Sequence, residues 1–335
     1  MPGHKSAFFR IFAAVKKIAC FIILCIMFGA ACQRATVQQF NGVAFGTTFH
    51  IAYVGNPDSA LPDQVDSLLR HINSTFSIFD TNSLISKVNS AKDPDLNEDF
   101  QHVLQIAFDI SAKTDGAFDC TVQPLVELWG FGRDNQKKVV PQGTIDSVKE
   151  FVGCGLIHLQ DRKLVKDDPR VQLNFNAIAK GFAVDKVAEF LVSKGHKDCL
   201  VEIGGEIVAH GSKGKRPWKV GIQTPTVTAD GPVESQRSFE LRDRAVATSG
   251  NYRNFFEKEG VRYTHILNPV TGRPEETNLL SVTVLAPDCT TADAYATAFM
   301  VIGLEPSLRI VNADKTLEAC FIYDEQGKLR VESTF

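Results

Sequence analysis

Cysteine is scarce and poorly spaced for a scaffold role. Of eight, Cys20, Cys25 and Cys32 stand near the amino terminus, which leaves Cys120, Cys154, Cys199, Cys289 and Cys320 widely separated. No Cys-x-x-Cys occurs, so a metal ribbon or a dense disulfide framework is excluded, and these five read as mostly buried small apolar residues. Positive charge is not in excess either: 36 Lys and Arg face 39 Asp and Glu, a net charge of −3. The chain therefore lacks the basic footprint of a nucleic-acid binder. The apolar run at residues 18–27 is shorter than the roughly 20 residues a membrane-spanning helix needs. No internal repeat is visible. What is there, 335 residues at 44% hydrophobic and 22% charged, suits a sizeable globular core and excludes disorder for most of the chain.

The first residues have a different character from the rest. His4, Lys5, Arg10, Lys16 and Lys17 precede the apolar run, which meets the small residues Gly29, Ala30 and Ala31 just before Cys32. That order reads as a secretory signal over residues 1–31. Small residues followed directly by Cys resemble a bacterial lipobox, with Gly29 where Leu is usual, so Cys32 is expected to be the lipidated first residue of an exported, membrane-anchored chain facing the periplasm. A polar tether is expected over 32–41 and one catalytic domain over 42–335.

Within that domain, apolar spacing predicts helices around Val65–Phe76, Phe100–Ile110 and residues 177–192, the last stopped by Gly195. Strands are expected over 42–53, broken at Gly46-Thr47-Thr48, and over 200–209, 218–223, 239–248, 263–267, 280–286 and 318–323. The polar interval 224–238 reads as a long surface loop. Helices and strands mix without regular βαβ alternation, which favours an α+β fold with mixed or antiparallel sheets packed against helices.

Chemistry is most visible near the carboxyl end. In Thr290-Thr291-Ala292-Asp293-Ala294-Tyr295-Ala296-Thr297, Asp293 and Thr297 are four apart and share one helix face. A carboxylate and a hydroxyl suit a hard cation such as Mg²⁺, which takes a few protein oxygens and completes its shell with substrate phosphates and water. The same residues also suit an ordinary helix start, with Thr290 or Thr291 as N-cap and an exposed first-turn Asp that adds little stability. Around Asn174-Phe175-Asn176-Ala177-Ile178-Ala179-Lys180 a helix opening offers free amides and a cation to a phosphate, or else a surface lysine on a capped helix. Gly204-Gly205 inside a strand marks a bulge, or a place where a ligand nears the backbone. His265, before a turn set by Asn268, Pro269 and Gly272, is a candidate acid/base group or a histidine bonding its own turn.

Taken with Asp115-Gly116-Ala117-Phe118-Asp119, Thr248-Ser249-Gly250-Asn251-Tyr252-Arg253 and Thr264-His265-Ile266-Leu267-Asn268-Pro269, the order of these segments closely resembles the ApbE-like flavin transferases, from about Gly42 to the last strand. The resemblance implies a T-fold-like architecture and transfer of FMN from FAD to a Thr or Ser hydroxyl of an exported or membrane flavoprotein, with AMP released and Mg²⁺ required. It also implies site residues. Asp293, Thr297 and the Ala177 carbonyl would hold the metal. Asn174, where many relatives have Asp, would contact the flavin nucleotide together with Lys180, Gly204, Gly205, Leu267 and the Ala117-Phe118-Asp119 element. Phe45 and Phe79, the latter replacing a common Tyr, would line the flavin. Asp119 is expected to accept from ribose or adenine donors, and His265 to take the proton of the attacking hydroxyl. Two other activities use the same residues: an FAD pyrophosphatase with water as acceptor, and a non-enzymatic exported lipoprotein that carries FAD.

Overall fold

Apolar residues alternating along eight segments build one antiparallel sheet whose strand order is the chain order: β1 (Val37–Ala44), β2 (Thr47–Val54), β3 (Cys199–Ile203), β4 (Glu206–His210), β5 (Arg244–Gly250), β6 (Leu279–Ala286), β7 (Glu318–Glu325) and β8 (Lys328–Ser333). The computed structural model describes residues 36–335, apart from positions 91, 134, 135, 137, 138, 224–234, 252–254, 259 and 260. The expected leader, Cys32, Tyr252 and Arg253 lie outside the described residues.

Two insertions carry the helices. Between β2 and β3 run α1 (Leu61–Phe76), α2 (Leu84–Asn89), α3 (Glu98–Lys113), α4 (Gln123–Leu128), α5 (Gln142–Lys149) and α6 (Ala179–Ser193); between β6 and β7 run α7 (Cys289–Ile302) and α8 (Leu304–Ala313). Period-two alternation splits the strand residues between two cores. Val201, Ile203, Val208, Ala245, Ala247, Val282 and Val284 join the helices in the main core. Ala209, Val246 and Leu285 face the other way and pack under Trp218, Val220 and Leu241 of the hairpin formed by strands Trp218–Gln223 and Ser235–Leu241.

Several expected boundaries shift. Residues 37–41, expected as tether, form the first half of β1. The strand expected over 239–248 is two strands with different partners, separated by Arg242-Asp243, where Asp243 has φ 50°. The expected loop 224–238 gives way to a strand at Ser235. Gly204-Gly205 is a two-residue hairpin turn rather than a bulge: both have positive φ, 63° and 104°, and Ile203 pairs with Glu206 across it.

Antiparallel registers bring one set of strand ends together. Phe49 pairs with Ile203, Ile207 with Val246, and Ser281 with Gly250. The β1–β2 turn at Phe45-Gly46, the β3–β4 turn at Gly204-Gly205 and the segment Thr248–Asn251 therefore occupy the same end of the sheet.

Candidate active site

Helix α6 opens without a side-chain cap, since Ile178 cannot supply one. Gly181 is the third residue of the helix, so its amide is one of the opening N–H groups that have no intrahelical acceptor. It donates to Asp293 Oδ2 of α7, at 3.0 Å. The exchange is reciprocal. Asp185 of α6 accepts from the Cys289 and Thr290 amides, both at 2.8 Å, and from Thr290 Oγ1 at 2.6 Å, at the start of α7. Each helix thus supplies a carboxyl acceptor for the amide groups at the other's amino end. The N-cap of α7 is Asp288, accepting from the Thr291 amide at 2.7 Å, not Thr290 or Thr291 as expected. Only glycine fits at 181, because a Cβ there would lie 2.2 Å from the Cys289 carbonyl oxygen.

Asp293 is 2% exposed, which overturns the reading of an exposed first-turn acid. Lys180 is not a free surface cation either. Its Nζ sits 2.8 Å from Glu206 Oε1 and 3.6 Å from Asp293 Oδ1. Burial alone would lower the lysine's pKa, but Asp293 and Glu206 outweigh it and hold the ammonium above its ordinary range. Burial pushes the Glu206 carboxyl up to about 7, with Lys180 pulling against it and Asp293 adding to the rise. Glu206 Oε2 is buried and has no hydrogen-bond partner among the described residues. Thr297, one turn beyond Asp293, shares a 3.0 Å hydrogen bond with Ser249 of β5. The Gly204 turn closes the group, its amide donating to the Thr48 carbonyl at 3.0 Å and its Cα facing Thr47.

A second group surrounds Asn174. Its Oδ1 accepts from the Asn176 amide (2.8 Å), and its Nδ2 donates to Gln123 Oε1 (2.7 Å), whose Nε2 in turn donates to Glu127 Oε1 (2.7 Å). The Asn174 amide reaches the Cys120 carbonyl at 2.8 Å. Arg133 ties this group to the segment before Phe79, donating to the Ile78 carbonyl and to Ser86 Oγ. Phe79 is 63% exposed, as an aromatic offered to a ligand would be. Phe45, on the β1–β2 turn with φ 53°, is half-buried. Ala117 and Phe118 point into the core instead. Asp119 is already engaged on both oxygens. Oδ1 accepts from the Thr121 amide (2.7 Å) and hydroxyl (2.6 Å), and Oδ2 from the Cys154 amide (2.9 Å). This carboxylate organises its own loop, a use that the sequence did not indicate.

His265 is exposed, on a bend between strands Val261–Thr264 and Leu267–Asn268. Asn268 Oδ1 accepts from the Val270 and Thr271 amides and shapes the following turn. That turn is fastened to α4: Trp129 Nε1 donates to the Gly272 carbonyl at 2.9 Å, and Leu267 packs buried with Leu125 and Trp129. The structure thus joins Lys180, Gly204, Asp293 and Thr297 in one cluster, with Ala177 just ahead of α6 in the chain, Asn174 and the Phe79 segment in a second, and anchors the His265 turn separately on α4. Glu206 and Ser249 were not singled out in the sequence. The signal was alternation: Glu206 is in register with inward-facing Val208, and Ser249 with Ala245 and Ala247, so a polar residue falls at a core position in each case.

Residues 45–321 match the ApbE family. An FAD:protein FMN transferase of Vibrio cholerae is 37% identical over 308 residues, covering 89% of this chain and 91% of that protein. One from Haemophilus influenzae is 35% identical, with 89% and 90% covered. Among solved structures, the flavin transferase ApbE of Vibrio cholerae superposes with a TM-score of 0.80 at 34% identity, covering 89% of this chain and 97% of that one. The apo flavinyl transferase ApbE of Pseudomonas stutzeri gives 0.81 at 33% identity, with 90% and 95% covered.

Proposed function

The chain belongs to the ApbE family, and from that premise we propose that it splits FAD and transfers the FMN half to a Thr or Ser hydroxyl of an exported or membrane flavoprotein, releasing AMP. It is an enzyme of the transferase class. The observation that carries the finer reading is the bond between the Gly181 amide and Asp293. At 3.0 Å it sets a buried carboxylate against the amino end of α6, the end that the Ala177 carbonyl precedes in the chain, with the Thr297 hydroxyl one turn further along α7.

These are hard oxygen donors only, and Asp293 Oδ1 keeps lone-pair capacity because Lys180 stands beyond hydrogen-bond length at 3.6 Å. Among the described residues no three His, Cys, Asp or Glu side chains converge, so the donors suit an ion that completes its shell with substrate oxygens and water. They fit Mg²⁺. Asp293, Thr297 and the Ala177 carbonyl would hold it, and when bound it supplies positive charge to the FAD pyrophosphate.

The chain's own residues do the remainder. Lys180, held charged by Asp293 and Glu206, faces the same phosphates. The exposed ring of Phe79 and the half-buried ring of Phe45 offer faces to the isoalloxazine. His265 accepts the proton of the acceptor hydroxyl as its oxygen attacks the FMN phosphorus, while the bond to the AMP oxygen breaks. Such transfers depend on positioning and charge stabilisation, with no covalent enzyme intermediate required. Lipidation of Cys32 would hold the enzyme at the membrane beside its acceptor. The test is incubation with FAD, Mg²⁺ and an acceptor flavoprotein, followed by mass spectrometry. Acceptor-bound FMN is expected. Free FMN with unmodified acceptor would make the chain a pyrophosphatase, and intact FAD would make it a binding protein.

A further inference from the structure

Cys120 and Cys154 lie 34 positions apart in sequence, yet their sulfurs are 3.7 Å from each other. Backbone contacts impose this proximity. The Cys154 amide donates to Asp119 Oδ2, the residue before Cys120, at 2.9 Å, and the Gly153 amide donates to Thr121 Oγ1, the residue after it, at 2.6 Å. Two hydrogen bonds thus clamp the two cysteine-bearing segments on either side of the sulfur pair. Cys120 is buried and Cys154 half-buried, whereas Cys199, Cys289 and Cys320 are all buried.

We propose that Cys120 and Cys154 form a disulfide site that fastens the Asp119 loop to the 3₁₀ turn Cys154–Leu156. A disulfide needs the sulfurs at about 2.05 Å, so closing the gap asks for side-chain rotation within a frame that is already fixed. The oxidant is a small or protein disulfide, the class supplied outside the reducing cytosol, where the leader read in the sequence directs the chain. Cys154, the more accessible thiol, loses its proton to solvent and attacks one sulfur of the oxidant, giving a mixed disulfide and one released thiolate. Cys120 then loses its proton and attacks Cys154 Sγ, expelling the second thiolate. Two protons leave, and two electrons pass to the oxidant.

In the reduced pair the hydrogen bond with Cys154, together with burial, holds the Cys120 thiol well above its ordinary pKa, and Asp119 adds to that. The bond would also displace the contact of Cys154 Sγ with Asp119 Oδ1, now 3.3 Å, and would pin the segment whose Cys120 carbonyl holds the Asn174 amide. This inference rests on the sulfur geometry and, for its oxidant, on the export read from the sequence, and it holds whether or not the chain transfers FMN.

The test uses the reduced, folded protein, equilibrated with glutathione mixtures of increasing oxidised fraction, acid-quenched, alkylated, digested and mapped by mass spectrometry. The expected product is one Cys120–Cys154 peptide pair, lighter by two hydrogens, formed before any bond to Cys199, Cys289 or Cys320 and lost in Cys154→Ser. The thermal midpoint of the oxidised protein should exceed that of the reduced form by on the order of 5 °C. Full alkylation of both thiols at the oxidising limit, a glutathione adduct stalled on Cys154, or a different pairing would overturn the proposal. So would a bond that forms only with a fall in midpoint, because the native frame would then not accommodate it.

Discussion

Asp293 serves two purposes: it caps α6 through Gly181 and faces Lys180. Asp293→Ala should abolish FMN transfer and also lower stability by about 2–4 kcal/mol, because a buried amide and a buried ammonium lose their partner. Asp293→Asn, which keeps an acceptor for Gly181, should recover part of the stability and none of the transfer; chemical denaturation and a transfer assay read the two effects separately. If His265 is the proton acceptor, His265→Ala should slow single-turnover transfer by roughly 10²- to 10⁴-fold at nearly unchanged FAD affinity, and flatten the acidic limb of the pH profile. A proportional loss of FAD binding would instead make His265 a turn or binding residue. The pairing of Asp293 with Thr297 was legible because helical spacing fixes it. Its burial was not, since that depends on a glycine more than a hundred positions earlier. The loop bonds of Asp119 were hidden for the same reason: its partner Cys154 is 35 residues away.

The pair α6 and α7 stands or falls together, since each closes the other's amino end. Gly181→Ala places a methyl against the Cys289 carbonyl and the Asp293 side chain. It should cost about 1–3 kcal/mol and lower transfer by moving Asp293, as calorimetry and the transfer assay would show. Asp185 gives the pair a pH dependence. Burial pushes its carboxyl up to about 7 despite the donors of Thr290 and Cys289. An acid whose folded pKa lies above its unfolded value binds its proton more readily when folded, so its contribution is fully present below about pH 4 and is lost as pH climbs to about 7. Asp185→Asn should flatten that part of the stability profile; an unchanged slope would remove Asp185 as its source. Helices of this length announced themselves by periodicity and by Gly195. The split between the Ser235–Leu241 strand and β5 did not, because a left-handed Asp243 makes the turn without glycine or proline. Strand β8 went unread: Leu329 and Val331 alternate with charged residues, but the run is short and almost all of it is exposed.

For the molecule as a whole, the α+β class followed from the mixture of periods, whereas the eight-stranded sheet did not. Pairing between β5 and β6, or β6 and β7, is a long-range choice that a single sequence leaves open. If Cys32 carries the proposed lipid, Cys32→Ser should shift the protein from the membrane to the soluble fraction with FAD affinity unchanged, and persistent membrane association would remove the lipid anchor from the reading. The order of the sheet carries a consequence for biosynthesis. Six strands of the main sheet and helices α1–α6 precede Pro287 in the chain, and they can pair successively as they emerge. The carboxylate that closes the α6 amino end comes only afterwards, at position 293, on a helix flanked by β6 and β7. On the proposed assignment, a growing polypeptide has nearly all of its scaffold before it has the carboxylate for a metal or a pyrophosphate there. Loading with FAD would then follow synthesis of α7, and a product cut short before that helix should be well provided with sheet and inert.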